Sequence, residues 1–451
     1  MIDRAHLSNL IEQEEVLFKK LHPKSGELFE RSRAHLLGGV PMNWMVRWAG
    51  AWPVFVREAK DARFWDVDGL EYVDFCLGDT GAMTGHSPQV SVNAIAKQAA
   101  LGITTMLPSE DSILASELLS SRFGLPYWQF AMTATDANRF SIRLARHVTK
   151  RPKILVFNWC YHGTVDETFA TLEDGVVKAR VGHIGPPVDP SLTTKVIEWN
   201  DVAALQAALE PGDVACVLAE PVMTNIGIIH PEPGFLDELR KITRETGTIL
   251  IIDETHTICS GPGGYTREHN LEPDVLTIGK PIAGGFPAAA YGFSRELGER
   301  VHASIEKDLS DTGGIGGTLT GNPLAAAAMR ATLEHVLTPE AFSRMIPVAT
   351  AFTAGVQGVI DAFELPWIVN QLGCRSEYWF RSSLPKNGGE AAASIDAELD
   401  HFMHLFALNR GILMTPFHNM ALISPVTTLE DIAVHTRVFE EAVSSLLRLA
   451  N

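Results

Sequence analysis

The stretch "TILIIDET" at residues 248–255 indicates how this chain folds. Its centre, Ile249 to Ile252, is apolar on both faces of an extended chain, which is typical of a central strand in a parallel sheet. Asp253 follows directly and would lie at the carboxyl end of the strand, where open α/β sheets bind ligands. The stretch therefore predicts a parallel α/β sheet with an acid at its ligand-binding edge.

The next informative stretch is "LTIGKPIAGGFP" at residues 276–287, in which Lys280 follows a glycine and precedes a proline and a Gly-Gly pair. Such sequence is typical of a loop rather than a helix. An acid and a lysine held this way suit a pyridoxal phosphate enzyme, because the lysine can form a Schiff base and the acid can keep the pyridine nitrogen protonated. The same pair is also common in proteins without this cofactor, so the pair alone leaves both interpretations open.

Apolar segments around these two stretches extend the predicted sheet. From about Tyr127 onward they alternate with helical segments, which is typical of parallel strands joined by crossover helices. The segments are "WQFAMTA", "RPKILVFN", "DVACVLAEP", "TILIIDE", "DVLTIGK" and "AAAYGFS". Asn322 to Val336 predicts a long alanine-rich helix. We therefore expect a helix and hairpin at 1–75, a large domain at 76–336 and a smaller α+β domain at 337–451.

Composition limits the partners and the compartment. The net charge of −17 argues against nucleic acid or an anionic membrane surface as a partner. No stretch approaches the roughly 18 uncharged apolar residues that a membrane span needs, so we expect no membrane partner. Five scattered cysteines without a CxxC pair favour reduced thiols in the cytoplasm. His401 and His404 are spaced for one helix face but lack further ligands nearby, so we expect no metal.

Three further segments, in this order and spacing, identify a family resemblance. They are "CYHGT" at 160–164, the long segment from "AEPVM" to "LIIDE" at 219–254, and "GGTLTGNPLAAAA" at 316–328. Together with the acid and the lysine they resemble class III (fold-type I) pyridoxal phosphate aminotransferases, and within them the glutamate-1-semialdehyde 2,1-aminomutase subgroup. The resemblance implies a mostly parallel seven-stranded-type sheet flanked by helices. It also implies a smaller α+β lobe from the N- and C-terminal segments, and a homodimer with shared active sites.

The resemblance also implies how pyridoxal 5′-phosphate would be bound. Lys280 would carry the cofactor and Asp253 would pair with the ring nitrogen. The turn Thr133-Ala134-Thr135 stands where the family has Ser-Gly-Thr, before a helix that could bind the phosphate. Tyr161 would stack on the ring, and Asn225 would hydrogen-bond its phenolic oxygen. Thr318 would complete the phosphate site of the neighbouring subunit.

The predicted substrate pocket departs most from the family. Arg47 falls on the arginine that binds the substrate carboxylate, a task that suits the bidentate guanidinium fork. The alternative is a surface arginine lying over Trp44 or Trp48. Trp44 replaces a small serine, Asp79 replaces a tryptophan and Asn419 replaces a glutamate. These changes favour a substrate other than that of the aminomutases.

From these features we predict an aminotransferase. It would move an amino group from a small-molecule donor, either an amine or an amino acid such as a β- or ω-amino acid, to an oxo-acid acceptor. Lys280, once released by the donor, would move the proton between substrate and cofactor. One alternative is an intramolecular transfer of the glutamate-1-semialdehyde 2,1-aminomutase type. An alternative from another class is a non-catalytic cofactor-binding protein.

Overall fold

The computed structural model describes residues 2–308 and 313–447, and these residues form two compact units. The first unit contains residues 2–88, 343–384 and 394–447, and the second contains 89–342 and 385–393. The first boundary thus lies at residue 88 instead of 75. Residues 76–88 stay with the first unit because its strands hold both ends: Phe75 exchanges backbone hydrogen bonds with Leu413 and Leu422, and Asp61 with His86.

The secondary structure comprises strands and helices that are numbered here in chain order. The strands are β1 (Val56–Lys60), β2 (Arg63–Asp66), β3 (Glu71–Asp74), β4 (Tyr127–Ala131), β5 (Lys153–Phe157), β6 (Ala170–Glu173), β7 (Val176–Ala179), β8 (Thr194–Ile197), β9 (Val214–Ala219), β10 (Ile249–Asp253), β11 (Val275–Ile278), β12 (Ala289–Phe293), β13 (Ile368–Leu372), β14 (Arg375–Trp379), β15 (Ile412–Leu413) and β16 (Met420–Leu422). The α-helices are α1 (Arg4–Leu21), α2 (Pro23–Ser32), α3 (Gln89–Ala99), α4 (Glu110–Phe123), α5 (Ala134–Thr149), α6 (Val202–Leu209), α7 (Phe235–Thr246), α8 (Gly264–Glu268), α9 (Arg295–Asp308), α10 (Pro323–His335), α11 (Pro339–Ala362), α12 (Gly388–Ala393), α13 (Ala397–Leu408) and α14 (Leu429–Leu446).

A seven-stranded sheet forms the centre of the second unit, in the order β4-β12-β11-β10-β9-β5-β8. The pairs from β11 to β8 are parallel, whereas β12 pairs antiparallel with both β11 and β4. Every residue of β9, β10, β11 and β12 is buried, as expected for strands covered by helices on both faces. The mostly parallel α/β sheet predicted from the sequence is therefore confirmed, with Asp253 at the end of its central strand.

Two helices of this unit begin directly after segments that carry predicted cofactor-binding residues. Helix α5 begins after the N-cap Thr133, and its buried residues include Asn138 and Phe140. Helix α10 begins at Pro323 after the N-cap Asn322, whose side chain accepts a hydrogen bond from Ala325 N–H at 2.8 Å. The predicted alanine-rich helix is thus confirmed, and it packs against α3 and α4.

The first unit contains a four-stranded sheet, β1-β2-β3-β15, and a three-stranded sheet, β13-β14-β16. In the four-stranded sheet only β15 and β3 run parallel, and this pair joins residues from the two ends of the chain. Helices α1 and α13 pack together beside them. The unit is α+β and is built from N- and C-terminal segments, as the resemblance implied.

Helix α11 is long and apolar enough, by length and composition alone, to cross a membrane. The expectation that no stretch approaches this limit was therefore wrong, because the run between Arg344 and Asp361 is uncharged. Met345, Phe352 and Val356 of this helix are buried at helical spacing. A buried apolar stripe of this kind is what a core helix of a globular protein also shows.

Candidate active site

The end of β10 carries Asp253, whose carboxylate is buried and accepts three hydrogen bonds. Its Oδ2 accepts from the side-chain amide of Asn138 at 2.8 Å and from Nδ1 of His162 at 2.9 Å. Its Oδ1 accepts from the backbone N–H of Thr255 at 3.0 Å. Asn138 is fixed in turn, because its side-chain oxygen accepts a hydrogen bond from the Thr277 hydroxyl on β11 at 2.6 Å. Helix α5 and strands β10 and β11 thus set the orientation of this carboxylate.

Asp253 and His162 form a buried ion pair. Burial alone would raise the pKa of Asp253, but the hydrogen bond and the charge of His162 lower that pKa to about 2. Burial also opposes the charged form of His162, yet the neighbouring Cys160 thiol and the Asp253 carboxylate raise the pKa of His162 to about 10. The pair therefore stays ionised near neutral pH, with the negative charge at the carboxyl end of the sheet.

Lys280 begins a short 3₁₀ turn, Lys280–Ala283, shortly after β11. Its φ of +50° lies in the left-handed region, where a side chain other than glycine is strained, and such strain clusters at functional sites. Gly279 provides space, because a Cβ on it would lie 3.0 Å from Cβ of Ala134 and 3.2 Å from the Ala134 nitrogen. The lysine loop thus packs directly against the first residue of α5.

The half-buried side chain of Lys280 contacts a histidine that the sequence did not single out. Its Nζ lies 2.7 Å from Nε2 of His256. His256 follows the end of β10 by three residues and precedes the 3₁₀ turn Thr257–Ser260. The segment that carries the acid therefore also carries the partner of the lysine, and the two stretches that indicate the fold meet at these side chains.

The turn before α5 resembles the anion sites found at helix N-termini. Thr133 caps the helix, since its hydroxyl accepts a hydrogen bond from the N–H of Asp136 at 3.2 Å. The hydroxyl of Thr135 accepts a hydrogen bond from the N–H of Thr164 at 3.0 Å. Gly163 permits this approach, because a Cβ on it would lie 2.0 Å from the Thr135 hydroxyl. The turn is thereby fixed against the loop that follows β5.

Two more predicted contacts lie in neighbouring loops. Tyr161 is half-buried and meets the ring of Phe169 edge-on, with ring centroids 5.8 Å apart. The side-chain amide of Asn225 donates a hydrogen bond to the carbonyl of Trp159 at 3.1 Å. Asn225 is therefore tied to the segment that carries Tyr161, and its amide has a second N–H that suits a phenolic oxygen.

The polar groups of the second unit fit three parts of pyridoxal phosphate: its aldehyde, its phosphate and its ring nitrogen. Lys280 supplies an amine, the turn 133–135 supplies N–H groups at a helix N-terminus, and Asp253 supplies an ionised carboxylate. Ala134 and Asn138 lie about one turn apart on α5, so one helix joins the phosphate end to the carboxylate end. The individual roles stay predictions that substitutions can test.

Thr318 is exposed, in a turn before α10. This turn ends at Asn322, whose side-chain nitrogen lies 3.7 Å from Sδ of Met132. Met132 directly precedes the turn 133–135. The C-terminal end of the segment that carries Thr318 therefore lies beside the turn 133–135 of its own chain. The role of Thr318 toward a neighbouring subunit stays a prediction.

The substrate residues predicted by the resemblance lie in the first unit. Arg47 is exposed and follows the 3₁₀ turn Asn43–Val46. Its guanidinium carbon lies 5.7 Å from the ring centroid of Phe417, and the rings of Trp44 and Trp48 also pack edge-on with Phe417. Arg47 thus lies beside an aromatic ring that the sequence did not single out, Phe417, in a cluster that includes both tryptophans. A cation–π contact orients the guanidinium and leaves its N–H groups available for a carboxylate.

Asp79 lies in a strained loop after β3. Leu77, Asp79 and Thr80 all have positive φ angles, of +45°, +50° and +79°. The Thr80 hydroxyl accepts a hydrogen bond from the buried guanidinium of Arg375 on β14 at 2.6 Å. A β-branched residue with positive φ is an outlier that surrounding contacts must maintain, and such outliers cluster at functional sites.

Asn419 is buried in a chain of polar side chains. Its amide nitrogen donates a hydrogen bond to Asp400 at 2.8 Å, and its oxygen lies 3.1 Å from Nε2 of His404. Next to it, Nδ1 of His418 lies 2.7 Å from the carboxylate of Glu377. Burial raises the pKa of Asp400 to about 6 and lowers that of His404 to about 4. Among the described residues, no group of three or more His, Cys, Asp or Glu side chains could hold a metal ion.

Sequence reasoning missed three side chains of the site. His162 pairs with Asp253, and its position beside Tyr161 is the signal that could have found it. Asn138 follows Ala134 by four residues, so helical spacing could have placed it on the same face. His256 gave no local signal, because its contact with Lys280 depends on the register of β10 against β11.

Comparisons with known proteins agree on the family to which this chain is similar. A family model described as aminotransferase class-III matches residues 44–435. A glutamate-1-semialdehyde 2,1-aminomutase from Methanosphaera stadtmanae is 31% identical over 94% of this chain and 99% of its own length.

Solved structures give the same result. A structure described as a glutamate-1-semialdehyde-aminomutase from Pseudomonas aeruginosa PAO1 is 46% identical, covers 99% of both chains and has a TM-score of 0.96. A structure of an omega-transaminase from Sphaerobacter thermophilus is 28% identical, covers 94% of this chain and 98% of its own, and has a TM-score of 0.84.

Proposed function

Because the chain belongs to the class-III aminotransferase family and uses pyridoxal 5′-phosphate, we propose that it catalyses a 2,1-aminomutase reaction on glutamate 1-semialdehyde. In this reaction the amino group moves from carbon 2 to carbon 1 within one molecule. The product is therefore an isomer of the substrate, and no separate amino donor or oxo-acid acceptor is consumed.

One observation carries this proposal: 46% identity over 99% of both chains to a structure described as a glutamate-1-semialdehyde-aminomutase. Curated relatives of the same description span 94% of the chain at 31–32% identity. This evidence supports the aminomutase alternative over the aminotransferase that the sequence predicted.

The residues of the second unit have chemical roles that suit this reaction. When bound, pyridoxal phosphate supplies an electron-withdrawing ring that stabilises negative charge on the substrate carbon. Asp253, ionised through its pair with His162, would hold the proton on the ring nitrogen. The Lys280 amine would hold the proton that moves between the reacting substrate carbon and the cofactor. The turn 133–135 would fix the phosphate, so that the reacting atoms stay near Lys280.

In the first unit, Arg47 would bind the distal carboxylate of glutamate 1-semialdehyde. Its guanidinium already lies against the Phe417 ring, which restricts its orientation. A planar fork with fixed orientation suits bidentate binding of a carboxylate.

A direct experiment is to incubate the holoenzyme with glutamate 1-semialdehyde as the sole substrate and to follow products by NMR. We expect the isomer 5-amino-4-oxopentanoate, with no oxo acid required. Lys280→Ala serves as the control, because it should form none. Absence of the isomer with the unaltered enzyme would refute the proposal.

An aminotransferase is the second candidate, favoured by one observation. The amide of Asn419, which replaces an acid expected at this position, is occupied by Asp400 and His404. It provides no carboxylate for a second substrate amine. If amino donors convert the cofactor to its amine form and 2-oxo acids restore it, while glutamate 1-semialdehyde gives no isomer, this second function is correct.

We also propose a homodimer in the cytoplasm. All five cysteines lie buried in the described part of the chain and none is joined in a disulfide, which suits a reducing compartment. The dimer is proposed from the family resemblance and from the position of Thr318.

A further inference from the structure

The contact between Lys280 and His256 brings a second titratable group to the cofactor lysine. The distance of 2.7 Å between Nζ and Nε2 is that of a hydrogen bond. Lys280 can donate and, when neutral, accept; the neutral imidazole has one donor and one acceptor nitrogen. The contact is therefore possible with a neutral imidazole that accepts an N–H of the lysine at Nε2.

His256 is held in place by the residue two positions before it. The buried carboxylate of Glu254 accepts hydrogen bonds from the Thr257 hydroxyl and from the backbone N–H groups of Tyr265 and Thr266. Gly264 makes this possible, because a Cβ on it would lie 2.5 Å from the Glu254 carboxylate. These contacts hold the segment 254–257 against α8, and within that segment the imidazole of His256 lies at the lysine amine.

Several other charged groups on the elements around the Lys280 turn are paired with partners of their own. The carboxylate of Asp253 is directed at His162, and the carboxylate of Asp136, near Ala134, accepts the Thr133 hydroxyl. Helix α10 packs on the turn of Lys280, and its Arg330 pairs with Asp111 and Glu334. The Glu254 carboxylate is directed at α8, as described above. His256 is a titratable group in direct contact with the lysine amine, at 2.7 Å.

We propose that His256 is a positioning residue for Lys280. Its neutral Nε2 accepts one N–H of the amine, so that the lone pair of the neutral amine points away from the imidazole, toward the atom it attacks. When His256 is protonated it no longer accepts this hydrogen bond, and its charge repels the lysine ammonium. The inference rests on the proposed role of Lys280 as the residue that carries the cofactor.

The test measures cofactor capture by the full-length apoprotein. Pyridoxal phosphate is added, the Schiff base is followed by its absorbance, and borohydride trapping followed by mass spectrometry identifies the modified lysine. His256→Leu removes the acceptor, and we expect capture about tenfold slower, as for a modest loss of orientation. His256→Gln keeps an acceptor that does not titrate, so its maximal rate should stay within about twofold of the unaltered protein. His302→Leu, at an exposed histidine of α9, is the matched control.

The pH profile separates positioning from a general packing effect. As the pH is lowered, the rate of cofactor capture should fall more steeply for the unaltered protein than for His256→Gln. The reason is that the imidazole gains a charge at low pH, whereas the glutamine amide does not. Wild-type capture by His256→Leu would overturn the proposal, and so would identical pH profiles for the Gln variant and the unaltered protein. Thermal melting verifies that each variant is folded. Capture needs no substrate, so this result stands whether or not glutamate 1-semialdehyde is isomerised.

Discussion

The carboxylate of Asp253 lies 2.9 Å from Nδ1 of His162, and both side chains are buried. Each partner shifts the pKa of the other toward the charged form, so the two charges depend on each other. The pair links the central strand of the sheet to the loop that carries Tyr161. The predicted ring-nitrogen partner is therefore one half of a buried ion pair.

Replacing Asp253 with Asn should slow turnover by orders of magnitude, because a neutral amide does not hold the proton on the ring nitrogen. We also expect the free energy of unfolding to fall by about 3 kcal/mol, since His162 loses its buried partner. Stopped-flow absorbance measures the proton-transfer step, and chemical denaturation measures stability. Asp274→Asn, which breaks the ion pair with Arg240 in the same unit, is the control for stability loss alone. Near-normal turnover of Asp253→Asn would remove this residue from the mechanism.

The ion pair also predicts how stability depends on pH. The pKa of His162 is raised from about 6.5 in the unfolded chain to about 10, so its contribution is complete below about pH 6.5 and is lost as pH rises through about 10. The pKa of Asp253 is lowered to about 2, so its contribution is present above about pH 4 and is lost as pH falls toward 2.

Denaturation between pH 7 and pH 10 should therefore show a decline in stability that His162→Gln lacks. His435 is a matched buried histidine whose pKa burial lowers to about 3, so it stays neutral throughout this range. His435→Gln should keep the slope of the unaltered protein. Equal slopes for His162→Gln and the unaltered protein would contradict the charged state assigned to His162.

Lys280→Ala should abolish the borohydride-trapped adduct with pyridoxal phosphate, because no other amine is predicted to form the Schiff base. Peptide mass spectrometry checks which lysine carries the adduct. Lys178→Ala changes an exposed lysine of β7 that pairs with Glu173, and it should leave the adduct intact. An adduct of normal yield on a different lysine would show that the assignment is incorrect.

The sheet could be predicted because its central strands are short, continuous apolar runs that end in polar residues. The direction of β12 could not be read from its composition, since "AAAYGFS" looks like any buried strand. The ten residues between β11 and β12, 279–288, contain no α-helix, and a parallel connection needs a longer crossover. Loop length was therefore the signal for the antiparallel edge.

Thr318→Ala should weaken cofactor binding by about tenfold or more, as expected for losing a hydrogen bond to a charged group. A hybrid dimer of one Lys280→Ala subunit and one Thr318→Ala subunit tests whether Thr318 acts on its partner. The subunit with intact Lys280 would then receive an unaltered Thr318 and regain normal affinity. Thr320→Ala, in the same turn, is the control. A hybrid without any normal-affinity site, or a fully active monomer, would contradict the shared site.

Arg47→Ala should raise KM for carboxylate-bearing substrates by about tenfold to a hundredfold, and should change kcat much less. Amines without a carboxylate should be affected little. Arg57→Ala removes an exposed arginine of β1 that pairs with Glu58, and it should leave both parameters unchanged. Steady-state kinetics with matched pairs of substrates, one with and one without a carboxylate, tests this prediction. An equal effect on both members of a pair would exclude carboxylate binding by Arg47.

The substrate residues of the first unit were only partly predictable. Arg47 could be found from the resemblance of its segment. The ring beside it, Phe417, lies 370 positions later in the sequence. A contact between residues so far apart cannot be predicted from the local spacing of residues. The same holds for Thr80 and Arg375, which meet across almost 300 residues.

The first unit joins the two ends of the chain, and this affects the order of folding during synthesis. The carboxylate of Glu14 on α1 pairs with Arg410 at 2.9 Å and accepts a hydrogen bond from Asn409. The ribosome makes α1 almost 400 residues before these partners, whereas the second unit is nearly continuous in sequence. The second unit can thus fold first, and the apolar side of α1 needs protection, by a chaperone or by transient contacts, until the C-terminal residues emerge.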